Sequence, residues 1–295
     1  MRVSDGFGVR CSFVVACPQG CSESSVVLDA IRHQLGVFDE LIVAENSSCG
    51  SRNSRELHVS LGTSDEDVML VEGARKAGGD VVVVIEDHVV IGDRFVDALR
   101  MRFSDGVTEA CTFAMRNGTP RRIGARALFL FVSGLAGPSV ERALRERGNG
   151  ANFAVRRSSV SDWLASSQAS TRPAEFRYQK IHEVQSRSSS EIDDSLQVSH
   201  HQDVSLLGAA LAIGLNAMRH GWLEREDVRK PSDFARHRYF KRTRNISKFN
   251  NTTWVVRMAL RLLGVTGWLG WWCGRKFGHV NIGRLMPKLH PSVSK

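Results

Sequence analysis

A run of apolar, β-branched residues ends abruptly in three ionisable side chains. Val81–Ile85 contains only valine and isoleucine, and Glu86, Asp87 and His88 follow it directly. Such a run is typical of a strand that is buried on both faces of a sheet. Ligands of open α/β sheets bind where the strands end, so the sequence predicts a ligand site here. The alternative is that the acids only cap the next helix.

The same three side chains suit a divalent cation. Carboxylate oxygens are the ligands that Mg²⁺ and Mn²⁺ prefer, and imidazole is tolerated. A cation at the end of this strand would be able to hold a phosphorylated substrate.

Predicted strands alternate with short predicted helices through the first part of the chain. The strands are Cys11–Ala16, Leu41–Ala44, Leu57–Ser60, Val81–Ile85 and Val107–Met115. This alternation predicts an α/β fold with a mostly parallel central sheet flanked by helices. The first strand is followed by neither Gly-x-Gly-x-x-Gly nor Gly-Lys-Ser/Thr, which argues against a dinucleotide fold or a P-loop.

The chain of 295 residues divides by composition into two predicted domains. Residues 1–205 carry the strand–helix alternation, and residues 206–295 form a helical, basic, tryptophan-rich C-terminal appendage. Hydrophobic residues make up 42% of the chain, which is enough for an ordinary folded core.

Positive charge and tryptophan occur together in the C-terminal region. The net charge of the chain is +9, and residues 236–244 are strongly basic. Trp254–Cys273 is the most apolar long segment, yet it contains Arg257 and Arg261. Arginine and tryptophan together are typical of a helix that lies on an anionic membrane surface. Ordinary packing and a true membrane span are the alternatives, whereas no nucleic-acid-binding motif is present, so nucleic acid is not an expected partner.

The cysteines and the first residues bear on location. The chain has 6 cysteines, and no second pair or histidine pair completes a zinc pattern with Cys17 and Cys21. Met1–Arg10 is polar and has no secretory signal character. We therefore predict free thiols and a cytoplasmic protein that is peripheral on the inner face of the cell membrane.

The order of these features resembles the family 2 glycosyltransferases, which have a nucleotide-sugar-binding A-type fold. The resemblance covers residues 10–205. Ile42–Asn46 looks like the second strand of that family, which ends in an acid. Glu86-Asp87-His88 resembles a bacterial variant of the family's Asp-x-Asp motif. Gly150–Arg157 resembles its acceptor-side segment, and Val198–His200 resembles a late strand near its active site.

The resemblance implies a reaction and a donor site. It implies inverting transfer of a sugar from a nucleotide-diphospho-sugar to a hydroxyl of a cell-surface polysaccharide or a lipid-linked glycan. Glu45, Glu86 and Asp87 would bind the donor. Asp87 and His88 would hold Mn²⁺ or Mg²⁺ as the cofactor.

The resemblance also implies acceptor-side roles. Asn152 and Arg156 would contact the acceptor, and Glu175 would be the catalytic base. His200, His201 and Asp203 either border the site or form a structural hydrogen-bond cluster.

Two departures from the family pattern leave an alternative open. Leu70 and Val71 occupy the place of an Arg-Asn pair, and the loop after His88 lacks the usual prolines. The alternative to an enzyme is a non-catalytic, glycosyltransferase-like scaffold protein at the membrane.

Overall fold

A computed structural model describes residues 8–22, 24–47, 55–119, 121–133, 152–171, 173, 176, 193–202, 204–223 and 253–277. These residues form two compact units. The first unit contains the described residues up to 116 and those of 152–200. The second contains residues 117–133 and the described residues from 201 to 277. The predicted domain boundary at residue 205 stays a prediction.

Eight strands and eight helices lie within the described residues. The strands are β1 Cys11–Cys17, β2 Glu40–Glu45, β3 Glu56–Ser60, β4 Val81–Glu86, β5 Val89–Ile91, β6 Ala110–Asn117, β7 Phe153–Arg156 and β8 Asp193–His200. The helices are α1 Ser25–Arg32, α2 Glu66–Lys76, α3 Phe95–Phe103, α4 Ile123–Ser133, α5 Arg157–Ala165, α6 Ser167–Thr171, α7 Leu206–Leu223 and α8 Trp254–Phe277.

The strands form one eight-stranded sheet in the order β3-β2-β1-β4-β7-β6-β8-β5. β3, β2, β1 and β4 are parallel neighbours. β7 is antiparallel to both β4 and β6, and β5 is antiparallel to β8. The α/β class predicted from the strand–helix alternation is confirmed. The short strand β5 was not predicted, because three residues after a polar turn carry no periodic signal.

The strand β4 is buried on both faces, as its sequence predicts. Val81, Val83 and Ile85 pack in one hydrophobic cluster with residues of α1 and α3. Val82 and Val84 pack in a second cluster with residues of α2 and α5. Each buried side chain of this size stabilises the fold by about 1.5–3 kcal/mol. The strand that leads to Glu86 is therefore held firmly from both sides.

The helix α2 shows how local sequence fixes one of these layers. The Asp65 carboxylate accepts hydrogen bonds from the backbone N–H groups of Asp67 and Val68, which caps the helix. Gly73 lies so close to β1 that a Cβ there would be 2.5 Å from Cγ1 of Val14. Only glycine allows this approach of helix to sheet without displacing the neighbour.

The parallel strands bring polar residues to one edge of the sheet. Cys17 at the end of β1 is paired with Glu45 at the end of β2, and Glu45 is paired with Ser60 at the end of β3. Glu86 at the end of β4 is paired with Ala16. The ends of four strands therefore form a common edge, where ligands bind in α/β sheets.

The second unit is helical in its described part. Helices α4, α7 and α8 share one apolar cluster, which includes Leu128, Ile213 and Leu263. Within the residues that the structure describes, no helix has both the length and the apolar character needed to cross a bilayer.

Gly270 sets the close approach of α8 to α7. A Cβ at Gly270 would overlap the backbone carbonyl of Gly214, whereas a Cβ at Gly214 would meet only Thr266 O at 3.6 Å. Gly270→Ala should therefore lower the stability of the unit by about 1–3 kcal/mol through overpacking. The matched change Gly214→Ala should be neutral or stabilising by up to about 1 kcal/mol, because alanine favours helix. Urea denaturation followed by circular dichroism measures both, and equal effects would contradict this packing.

Candidate functional site

Glu86, Asp87 and His88 lie at the carboxyl edge of the sheet, directly after the buried run of β4. Their side chains keep 15%, 12% and 11% of their surface exposed, respectively. They are thus largely enclosed but still reach solvent. Groups in such a position can contact a ligand while the surrounding core fixes their orientation.

His88 joins the strand end to a distant part of the chain. Its Nδ1 lies 2.8 Å from Oδ1 of Asp87, and its Nε2 lies 3.0 Å from Nε2 of His200. The two imidazole rings are almost perpendicular, at 86°. Because β5 and β8 are paired with Val89 opposite His200, the end of β8 is brought beside His88.

Glu86 is held by a buried amide. Asn152 accepts a hydrogen bond from the backbone N–H of Glu86 at 2.9 Å and donates one to its Oε2 at 2.7 Å. Asn152 is fully buried, just before β7 begins, and the antiparallel pairing of β7 with β4 brings it to this place. The pair of bonds fixes both the backbone and the carboxylate of Glu86.

Three donor atoms converge at this edge. One carboxylate oxygen of Glu86, one ring nitrogen of His88 and one of His200 all lie within 4.8 Å of one another. The His88 Nε2 to Glu86 Oε2 distance is 3.9 Å. Ligands about 2.1 Å from a cation are about 3.0 Å apart in an octahedral site and about 3.4 Å apart in a tetrahedral one. The donors therefore suit a divalent cation after small side-chain movements.

The electrostatics of this site favour positive charge. Burial alone would lower the pKa of His88, but the hydrogen bond to Asp87 and the charges of Glu86 and Asp87 raise it to about 9. The raised pKa favours the imidazolium form of His88, in which Nδ1–H faces Asp87 and Nε2–H faces His200. A metal cation bound through Nε2 would take the place of the Nε2 proton.

The structure divides the predicted cation ligands by role. His88 contributes a converging nitrogen, whereas Asp87 contacts the other ring nitrogen and orients the imidazole. His200 supplies the third converging atom, whereas the sequence had left open whether it borders the site or has a structural role. Its position at the end of a late predicted strand was the sequence feature that could have indicated this. The predicted pair of cation ligands, Asp87 and His88, stays a prediction.

Glu45 lies in a different group of side chains from Glu86. Its carboxylate is fully buried and contacts Cys21 and His58. Its predicted contact with the donor nucleotide stays a prediction.

The structure describes two of the three predicted acceptor-side residues, Asn152 and Arg156. Arg156 donates hydrogen bonds to the backbone carbonyls of Thr108 and Phe103, and Asn152 is used by Glu86. Glu175 lies outside the described residues. The acceptor and catalytic roles of these residues stay predictions.

Comparison with known proteins gives coarse similarity only. No protein-family profile matches the sequence, and no curated protein sequence matches it significantly. The crystal structure of S. aureus TarS 1-349 superposes with a TM-score of 0.46 and 9% identity, covering 82% of this chain and 74% of that one. The structure of GalNAc-T7 with UDP, GalNAc and Mn²⁺ also gives 0.46, at 12% identity, covering 65% of this chain and 43% of that one. Structural similarity at this level gives no information about the ligands of this protein.

Proposed function

We propose that this protein is a nucleotide-sugar-dependent glycosyltransferase with a cation site at Glu86, His88 and His200. The observation that carries the proposal is the convergence of their three donor atoms at the carboxyl edge of the sheet. The resemblance of residues 10–205 to family 2 glycosyltransferases supports the choice of donor.

The donor set suits a divalent cation of intermediate hardness. Two imidazoles and one carboxylate favour Mn²⁺ over Mg²⁺, because Mg²⁺ prefers oxygen ligands. When bound, the cation would neutralise charge on the leaving diphosphate of the donor.

The surrounding residues hold the ligands in place before the donor binds. Asp87 accepts from Nδ1–H of His88 and so presents Nε2 toward the cation position. Asn152 fixes the Glu86 carboxylate through its amide. Preorganisation of this kind lowers the free-energy cost of binding, because the side chains need little reordering.

The acceptor half of the reaction rests on the sequence. We propose inverting transfer, with Glu175 as the base that removes the proton of the acceptor hydroxyl. Asn152 is enclosed against Glu86, and Arg156 is paired with Val81 at the other end of β4, so we assign neither of them to the acceptor. The acceptor is a cell-surface polysaccharide or a lipid-linked glycan. A base must lie within hydrogen-bond reach of that hydroxyl, so an activity assay of Glu175→Gln tests the assignment.

The proposed location is the inner face of the cell membrane, through α8. The buried face of this helix includes Leu260, Leu263 and Trp271. Its other face exposes apolar side chains at intervals of three or four residues: Trp254, Met258, Leu262, Val265, Leu269 and Trp272. Arg257 and Arg261 are exposed on the same side. An exposed apolar stripe with adjacent arginines suits an anionic bilayer surface.

Binding of a nucleotide sugar tests the proposed function directly. With Mn²⁺ present, one class of nucleotide-diphospho-sugar should raise the melting temperature in a thermal-shift panel. Ligand at 100 times its Kd stabilises by about 2.7 kcal/mol, which is a shift of about 5–10 °C for a domain of this size. EDTA should remove the shift.

A matched pair of variants makes the result specific. His88→Ala should lose the shift, whereas His33→Ala should keep it, because His33 is exposed and its ring contacts the Asp29 carbonyl of its own helix. A scaffold protein is the alternative, since the hydrogen bonds of His88 to Asp87 and His200 would also suit a purely structural role. The absence of any shift across the panel would contradict the enzyme and support the scaffold.

A further inference from the structure

A second group of metal-ligating side chains lies at the same sheet edge, on the side of β2 and β3. Sγ of Cys21 lies 2.9 Å from Oε2 of Glu45, and Nδ1 of His58 lies 2.9 Å from Oε1 of Glu45. The three ligand atoms lie within 4.8 Å of one another. This group shares no residue with Glu86, His88 and His200.

The sheet and one turn assemble the group. Glu45 is the last residue of β2, and His58 lies on β3 opposite Val43, two residues earlier in β2. Cys21 follows the turn after β1, in which the Gly20 N–H donates to the Cys17 carbonyl. Parallel pairing and this turn therefore hold three different ligand types together, although they are far apart in sequence.

Burial makes the carboxylate of this group unusual. The side chain of Glu45 is fully buried, and that of His58 is 8% exposed. A buried carboxylate is costly unless it is paired with positive charge or a metal. A thiol and an imidazole are its hydrogen-bonding neighbours, and both are also good ligands of a thiophilic cation.

The surroundings of His58 match those of a metal-bound histidine. Its second ring nitrogen, Nε2, lies 3.4 Å from Oε2 of Glu56. Arg32 donates to both oxygens of Glu56, at 2.7 and 3.1 Å. A carboxylate on the far nitrogen fixes the tautomer and orientation of a ligating imidazole, and here that carboxylate is itself fixed.

We propose that Cys21, Glu45 and His58 bind a zinc-class cation at a site separate from the donor site. Thiolate, imidazole and carboxylate are all zinc ligands, and three protein ligands leave one position for water. Sulfur and oxygen ligands of one zinc are about 3.5 Å apart, so the Cys21 and Glu45 atoms need to separate only slightly. Cys21 binds as the thiolate, and its proton leaves to solvent.

The site would join the turn after β1 to the ends of β2 and β3. Cation-bound Glu45 would then hold the rim of the sheet rather than touch a sugar donor. The ligand side chains are almost wholly enclosed, so a cation here would cross-link the rim of the sheet, with one water in its fourth position.

Cobalt(II) provides a direct probe, because thiolate ligation gives it a charge-transfer absorption and tetrahedral ligation gives it intense visible bands. The 295-residue chain, treated with chelator and then titrated with Co²⁺, should develop both absorptions, and Zn²⁺ should remove them. Cys21→Ser should lose the charge-transfer band, and His58→Gln should bind Co²⁺ at least about 100-fold more weakly.

The controls separate this site from the donor site. Cys273→Ser, a matched change at a cysteine outside the group, should keep the cobalt bands, and so should His88→Ala. Circular dichroism reports whether each variant is folded. A wild-type protein without a charge-transfer band, or a band that survives in Cys21→Ser, would overturn the proposal. Either result would leave the thermal-shift test of the nucleotide sugar unaffected.

Discussion

Replacing His88 with alanine should abolish cation-dependent cleavage of a nucleotide sugar, and replacing His200 should do the same. Each change removes one of the three atoms that converge at the candidate cation position. Even residues that only orient metal ligands affect metal affinity or activity 10–100-fold, so loss of a ligand should lower kcat/KM by at least about 100-fold. Release of nucleoside diphosphate at a fixed Mn²⁺ concentration measures the effect.

Asp87→Asn should reduce the activity less than the loss of His88 or His200 does. Asparagine keeps the size of the side chain but loses the charge that holds the Nδ1 proton of His88. If Asp87 only orients His88, the variant should need about 10–100-fold more Mn²⁺ for half-maximal activity and then recover at saturation. If Asp87 is itself a ligand, as the sequence predicts, activity should not recover.

His33→Ala controls for the loss of a histidine as such. His33 is exposed and contacts the backbone carbonyl of Asp29, so its removal should leave kcat/KM unchanged. Wild-type activity in both His88→Ala and His200→Ala, with Mn²⁺ still required, would show that the cation binds elsewhere.

The position of Glu86 at the end of a buried strand could be predicted from that strand alone. An all-β-branched run has one stable environment, the interior of a sheet, so the position of Glu86 at an edge followed from local sequence. The contact of His88 with His200 did not follow. It depends on the antiparallel pairing of β5 with β8, and β5 is only three residues long. Non-local pairing of a short strand leaves no periodic trace in the sequence.

The group around Glu45 illustrates a second limit of sequence reasoning. The sequence indicated a strand that ends in an acid, and this is what the structure contains. Cys21 and His58 carried no zinc pattern, because ligand spacing is diagnostic only when the ligands share one local motif. Here three separate elements supply them, and they meet only through the register of β2 with β3 and the turn after β1.

The direction of the exposed face of α8 also required the structure. Apolar residues occur on every side of this helix, so composition alone suggested membrane contact without identifying the surface. Packing against α4 and α7 buries one side and leaves the other exposed. The exposed side is therefore the surface that we expect to contact a membrane.

Replacing Trp254, Leu262 and Trp272 together with serine should release the protein from anionic vesicles. These side chains are 73%, 41% and 41% exposed, and they lie along the apolar stripe of α8. Burying a large apolar side chain contributes about 1.5–3 kcal/mol, so removing three should weaken binding at least about 100-fold even when burial in the bilayer is partial. Flotation with vesicles of phosphatidylglycerol and phosphatidylcholine measures the bound fraction.

Charge and apolar contact make separable contributions to this binding. Arg257 and Arg261 should add about 1 kcal/mol each on an anionic surface, so high salt should weaken binding without abolishing it. The double variant Phe38→Ser and Val107→Ser removes exposed apolar side chains from the first unit and should bind as wild type does. Equal binding by the triple α8 variant and wild type would contradict docking through this helix. Binding that disappeared in salt alone would instead assign the membrane contact to charge and leave the tryptophans without a role in it.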